Sequence, residues 1–140
     1  MAAVSFADGY DRKDLSYRRY KPNTSKGFYT NKTCDFVNID QIVSLKDAFE
    51  SGASSWGASK KKASNDRSSH VPSCGRVNSS KWSEGPSNFL RRSSDGRGLE
   101  YKIVRFCEYV QKYYAVKVKC GLSFQGNKRH VFESCEITLI

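Results

Sequence analysis

Apolar positions follow two different periods along this chain. In NIDQIVSLKDAFESG, Ile39, Ile42, Val43, Leu45 and Phe49 recur at three- and four-residue steps, the single stripe of an amphipathic helix. Asn38 suits the N-cap, and Gln41 three residues on completes a capping-box pattern. Asp40 would favour the positive end of the helix dipole, Lys46 is placed to pair with Glu50, and Gly52 is a natural stop. The expectation is a core helix ending at Gly52.

The C-terminal third alternates instead. Tyr114, Val116, Val118, Cys120, Leu122 and Phe124 fall on every second position, the period of a half-buried strand. Gly126-Asn127 offers a two-residue hairpin turn. That turn would set Leu122 opposite Val131, Val118 opposite Cys135, Val116 opposite Ile137 and Tyr114 opposite Leu139, all on one side of a sheet. Just upstream, LEYKIVRFCEYVQKYY reads two ways. Ile103, Phe106, Cys107, Val110 and Tyr114 form a helical stripe with Arg105, Glu108 and Lys112 opposite, whereas YKIVRF has the β-branched and aromatic content of a strand. The strand reading, from Tyr101 to about Cys107, fits the hairpin better. The predicted fold is therefore α+β: a small antiparallel sheet built around a C-terminal β-hairpin, packed by one amphipathic helix, with a long irregular Ser-rich central segment.

That central segment, residues 53–98, has no sustained period. Ser, Gly, Asn and basic residues dominate it, too little apolar material to offset the entropy of ordering. Trp56, Trp82, Phe89 and Leu90 are its candidates for contact with a core. The expected organisation is a basic aromatic arm over 1–30, a helix-containing part of the core over 31–52, the irregular insertion over 53–98 and an antiparallel β core over 99–140. The second and fourth stretches together would form one domain.

Charge changes the picture from fold to partner. The 140 residues hold 24 Lys and Arg against 14 Asp and Glu, a net +10. By stretch the balance is +3 over 1–30, −2 over 31–50, +6 over 51–98 and +3 over 99–140. A surplus of this size points to a polyanionic partner, nucleic acid first. No apolar run approaches the roughly 18 residues that cross a bilayer, so membrane insertion is not expected. The N-terminal MAAVSFADGYDRKD lacks the basic and apolar regions of a secretory leader. Five widely spaced cysteines leave one over under any pairing, which favours reduced, buried thiols. Both features point to the cytoplasm or nucleus. The triplets at Asn23, Asn31 and Asn78 match the glycosylation pattern and keep a secreted protein as the minority reading.

Within LSYRRYKPNTSKGFY, Tyr17, Arg18, Arg19, Tyr20, Lys21, Lys26, Phe28 and Tyr29 interleave cations with rings. Single-stranded nucleic acid asks for that mixture, because cations track phosphates while rings stack on bases. The alternative is an arm whose rings pack on the core while its cations reach solvent. Lys60, Lys61 and Lys62, then Arg91 and Arg92 in a kinase-like RRSS, add central basic clusters, and Lys128 and Arg129 follow the predicted turn. His70 with Cys74 and His130 with Cys135 have metal-ligand gaps, but no CxxC accompanies them, the expected hairpin would put His130 and Cys135 on opposite faces, and neither metal nor cofactor is expected. Two isolated histidines and scattered acids give no catalytic constellation. The reading is a small non-enzymatic protein that binds RNA or single-stranded DNA, viral or accessory to a nucleoprotein. Its alternative is a secreted interaction module whose cationic surface meets acidic proteins or sulfated glycans.

Overall fold

A computed structural model describes residues 22–56, 69–75, 77, 81, 85–87 and 103–139. In chain order it holds strand β1 (Val37–Gln41), helix α1 (Leu45–Glu50), a 3-10 turn (Ala53–Ser55), strand β2 (His70–Cys74), helix α2 (Phe106–Cys120) and helix α3 (Arg129–Glu133). The mixed α and β content agrees with expectation; the placement of the elements does not. The sheet is one antiparallel pair, β1 against β2, in the N-terminal and central part of the chain. Where a C-terminal hairpin was expected, there are two helices.

β1 replaces the first half of the predicted helix. Asn38 is not a cap but faces Ser73 in a ladder that runs from Val37 opposite Cys74 to Gln41 opposite His70. The same rhythm continues past both strand ends, where Gly75 N–H donates to the Phe36 carbonyl and Ile42 N–H to that of Ser69. β2 itself lies inside the segment read as irregular. Its Pro72 is tolerated because its carbonyl faces away from β1 and accepts from Phe28 N–H, so the missing proline donor breaks no rung.

α1 is the surviving half of the expected helix. Ser44 caps it, the hydroxyl accepting from Asp47 N–H, and the chain turns off at Ser51 into Gly52. Gly52 takes a φ of 143°, open to glycine and strained for other residues. Lys46 and Glu50 do pair along the exposed side, at 4.0 Å.

α2 overturns the strand alternation. Tyr109, Val110, Tyr113, Val116, Lys117 and Cys120 face inward at helical spacing, while Val118, expected in a hairpin core, is 57% exposed. A polar side chain sits on the buried stripe at position 117, which made the period-2 reading look cleaner than the period-3.6 one. Gly121 ends α2 in the left-handed region at φ 68°. The expected Gly126-Asn127 hairpin turn is replaced by a turn centred on Gln125 and Gly126, closed by Asn127 N–H donating to the Phe124 carbonyl at 3.0 Å with Gly126 at φ 85°, and it lies between two helices.

The core is a chain of rings. Tyr29 meets Tyr109 edge-on at 5.3 Å, Tyr109 meets Tyr113 at 6.3 Å, and Tyr113 meets Phe132 of α3 at 6.0 Å. The first two are edge-to-face pairs, which contribute about 0.5–1.5 kcal/mol each beyond their buried area, and the third is tilted. Two disulfides, Cys34–Cys74 and Cys107–Cys135, replace the expected set of reduced thiols. The fifth cysteine, Cys120, is buried on α2. Cysteines 40 and 28 positions apart meet because the turn before β1 folds onto β2, and the segment after α3 folds back onto the start of α2.

Candidate functional site

Charge is sorted between the interior and the surface. Two networks of the same composition, tyrosine, aspartate and lysine, are buried. In the first, Tyr29 donates its phenol proton to Asp40 of β1. Lys81 donates to Asp40 at 3.4 Å and to the Gln41 carbonyl at 3.1 Å. In the second, Tyr113 donates to Asp47 of α1, while Lys117 donates to Asp47 at 2.9 Å and to the Ser123 carbonyl at 2.7 Å. Both lysine side chains are wholly buried. The Lys117 ammonium also lies over the rings of Tyr113 and Phe124, at 5.1 and 5.6 Å.

Titration of these groups follows their surroundings. Burial pushes the Asp40 carboxyl up, against the opposing pull of the Lys81 charge and the hydrogen bonds from Tyr29 and Lys81. Burial, then the negative charge of Asp40, drives the Tyr29 phenol well above its ordinary range. Burial and Asp47 do the same to Tyr113. Each network ties separate elements together, and each acid is already occupied by its own lysine and tyrosine. Their chemistry is structural.

The surface carries the other cations. Residues 25–34 form a tight loop, with Gly27 N–H donating to the Lys32 carbonyl, Cys34 N–H to that of Ser25, and Lys26 bridged to Thr33. The Cys34–Cys74 disulfide holds this loop on β2, and a Cβ at Gly27 would lie 2.7 Å from the Cys74 sulfur. Arg105, just before α2, donates to the Asn31 side-chain carbonyl at 2.8 Å and lies 5.5 Å from the centre of the Phe28 ring. Lys112 reaches the same ring at 5.9 Å. Lys26, Lys32, Arg105, Lys112, Lys128 and Arg129 have no carboxylate within ion-pair distance among the described residues.

Of the cations singled out from the sequence, Lys26, Lys128 and Arg129 fall within the described residues. Lys26 and Lys128 are exposed. Arg129 is exposed too, with its guanidinium donating to the Leu139 carbonyl at 2.6 Å. Lys26 sits in the loop, whereas Lys128 and Arg129 open α3, with Lys128 N–H bonded to the Ser87 hydroxyl. Tyr17, Arg18, Arg19, Tyr20, Lys21, Lys60, Lys61, Lys62, Arg91 and Arg92 lie outside the described residues. Tyr29, read as a ring for stacking, is 1% exposed and belongs to the core. Phe28 is likewise buried, so the two aromatic residues at the end of the predicted arm serve packing. His70 and Cys74 are the two ends of β2, and Cys74 is engaged in its disulfide.

Sequence reasoning missed the buried lysines and the pairing of Arg105 and Lys112 across one ring. The signal for Lys117 was its place four residues beyond Tyr113 on a helical stripe; for Lys81 there was none. Comparison of the chain with protein-family models, curated proteins and solved structures finds no match.

Proposed function

We propose that this protein is a non-enzymatic module that binds an anionic polymer, RNA or single-stranded DNA, by charge. The observation that carries the reading is the sorting of charge: two lysines are neutralised inside by Asp40 and Asp47, while six cations face outward without carboxylate partners among the described residues. The burial of Phe28 and Tyr29 shifts the expected mechanism from base stacking towards phosphate tracking, so binding should be tolerant of sequence. The test is affinity for a labelled mixed-sequence single-stranded oligonucleotide across a salt series. With six or more phosphate contacts, affinity falls at least about a hundredfold between 50 and 200 mM salt. A flat salt response, or no binding at low salt, would defeat the proposal.

A second reading rests on the two disulfides. Such bonds persist in oxidising compartments, where a cationic surface meets sulfated glycans or acidic proteins. A sulfated glycan competing far better than an oligonucleotide of equal charge would favour it.

A further inference from the structure

We infer that Arg105 at the N-cap of α2, with Lys112 and Lys119 on α2, forms a linear track for successive phosphates of a nucleic-acid strand, continued at its N-terminal end by the 25–34 loop. The inference rests on the anionic-polymer reading and names the part of the surface that does the gripping.

Spacing makes the track. The three cations stand seven residues apart, within about 40° of one line on a helix of 3.6 residues per turn, and span about 21 Å. Tyr109, Val116 and Cys120 are buried on one side of that line, and Gln111, Ala115 and Val118 are exposed on the other. The track therefore follows the border where α2 meets the rest of the molecule. Long cationic side chains there can lie along apolar surface with their heads in water, as Arg105 and Lys112 do over Phe28.

Preorganisation supports it. Arg105 is fixed by Asn31 and by the Phe28 ring, and its hydrogen-bond partner is neutral, so its charge stays available. The loop that supplies Phe28 and Asn31 also carries Lys26 and Lys32. It is held by the Cys34–Cys74 disulfide and by Val104 N–H donating to the Tyr29 carbonyl. One acid, the exposed Glu108, stands beside the track and pairs with neither Arg105 nor Lys112. The span of about 21 Å exceeds several phosphate-to-phosphate steps of a single strand, so one strand laid along the helix can meet all three cations at once.

The experiment measures oligonucleotide affinity over a salt series for the wild type, K112Q/K119Q, R105Q/K112Q/K119Q and the control K46Q, whose lysine pairs with Glu50. Each track cation removed lowers the slope of log affinity against log salt by about 0.7, so the double variant loses about 1.4 and binds roughly tenfold more weakly at physiological salt. K46Q leaves the slope unchanged. The double variant guards against misfolding of the triple, because Lys112 and Lys119 are exposed. Wild-type binding with an unaltered slope in the double variant overturns the track and leaves the broader reading standing. Absence of wild-type binding overturns both. A wild type that binds sulfated glycan but no oligonucleotide overturns the nucleic-acid occupant.

Discussion

Replacing Asp47 by Asn should damage this protein more than replacing its partner Lys117 by Met. Lys117 is wholly buried and, among the described residues, its ammonium has one anionic neighbour, Asp47 at 2.9 Å. Asp47→Asn keeps the volume and an acceptor for Tyr113 but leaves that ammonium among a carbonyl and two rings. An uncompensated buried charge costs about 3–5 kcal/mol. Lys117→Met removes the charge and retains the length of the side chain. What remains is Asp47, whose side chain is 21% exposed and still receives the Tyr113 hydroxyl, and a Ser123 carbonyl without its donor. That loss amounts to about 1–2 kcal/mol. In urea unfolding followed by tryptophan fluorescence, D47N should lose the larger amount and K117M the smaller. The double variant should be more stable than D47N alone, because no charge is then left unpaired. D47N within about 1 kcal/mol of wild type, or K117M as costly as D47N, would refute the account of Asp47 as the counter-ion.

Alkaline pH should unfold the protein steeply. The folded-state phenols of Tyr29 and Tyr113 are raised, so the stability they hold is complete below about pH 10, where unfolded tyrosine ionises, and falls above it by about 1.4 kcal/mol per pH unit each. Denaturant titrations between pH 9 and 11, with phenolate absorbance as the probe, should show a combined loss of about 2.7 kcal/mol across that window, steepening towards its upper end. Unfolding without reductant should expose one reactive thiol, Cys120, and unfolding with reductant all five. Loss of Cys34–Cys74 through a C34S/C74S variant should cost about 4 kcal/mol by the loop-closure relation. Gly27→Ala should cost about 1–3 kcal/mol, since its Cβ would lie 2.7 Å from the Cys74 sulfur and 3.1 Å from the Cys74 nitrogen, and peptide mapping should find that disulfide incompletely formed.

Local signals in the sequence were read correctly where the partner was close in the chain. The Lys46–Glu50 pair, the stop at Gly52 and the turn at Gly126 each depend on residues within a few positions, and each is present. β1 was not legible because its partner starts 29 residues beyond its end, at His70, in a stretch whose composition argued for no structure at all. Ile39 and Ile42 belong to a strand and the turn after it, yet their spacing imitates a helix. In α2 the error had a chemical source. Lys117 occupies a core position because Asp47, distant in sequence, neutralises it, and a lysine on the apolar stripe hid the helical period. Cysteine spacing likewise says nothing of which thiols meet. At the candidate surface, Lys26, Lys128 and Arg129 were identified by charge alone. Arg105 and Lys112 required the third dimension, since what unites them is a shared ring contributed by another segment.

The same ion type thus has two fates in this molecule, and its surroundings set which. Lys81 and Lys117 are held inside by carboxylates, where added salt screens little. Each buried pair is neutral when viewed from outside, so the pairs subtract nothing from the net +10 that a partner meets. Most of that surplus lies on segments outside the described residues, while the described surface offers a line of cations along α2 and its N-cap and a loop that the Cys34–Cys74 disulfide holds on β2. On the proposed reading the two sources of charge would divide the work: the charge outside the described residues would raise the encounter rate at long range, and the line of cations would set how the strand lies once it arrives. Stability and binding then rest on different lysines. Substitutions on the α2 border should weaken binding and spare the fold, whereas substitutions at Asp40, Asp47, Lys81 or Lys117 should act on binding only through the loss of the fold.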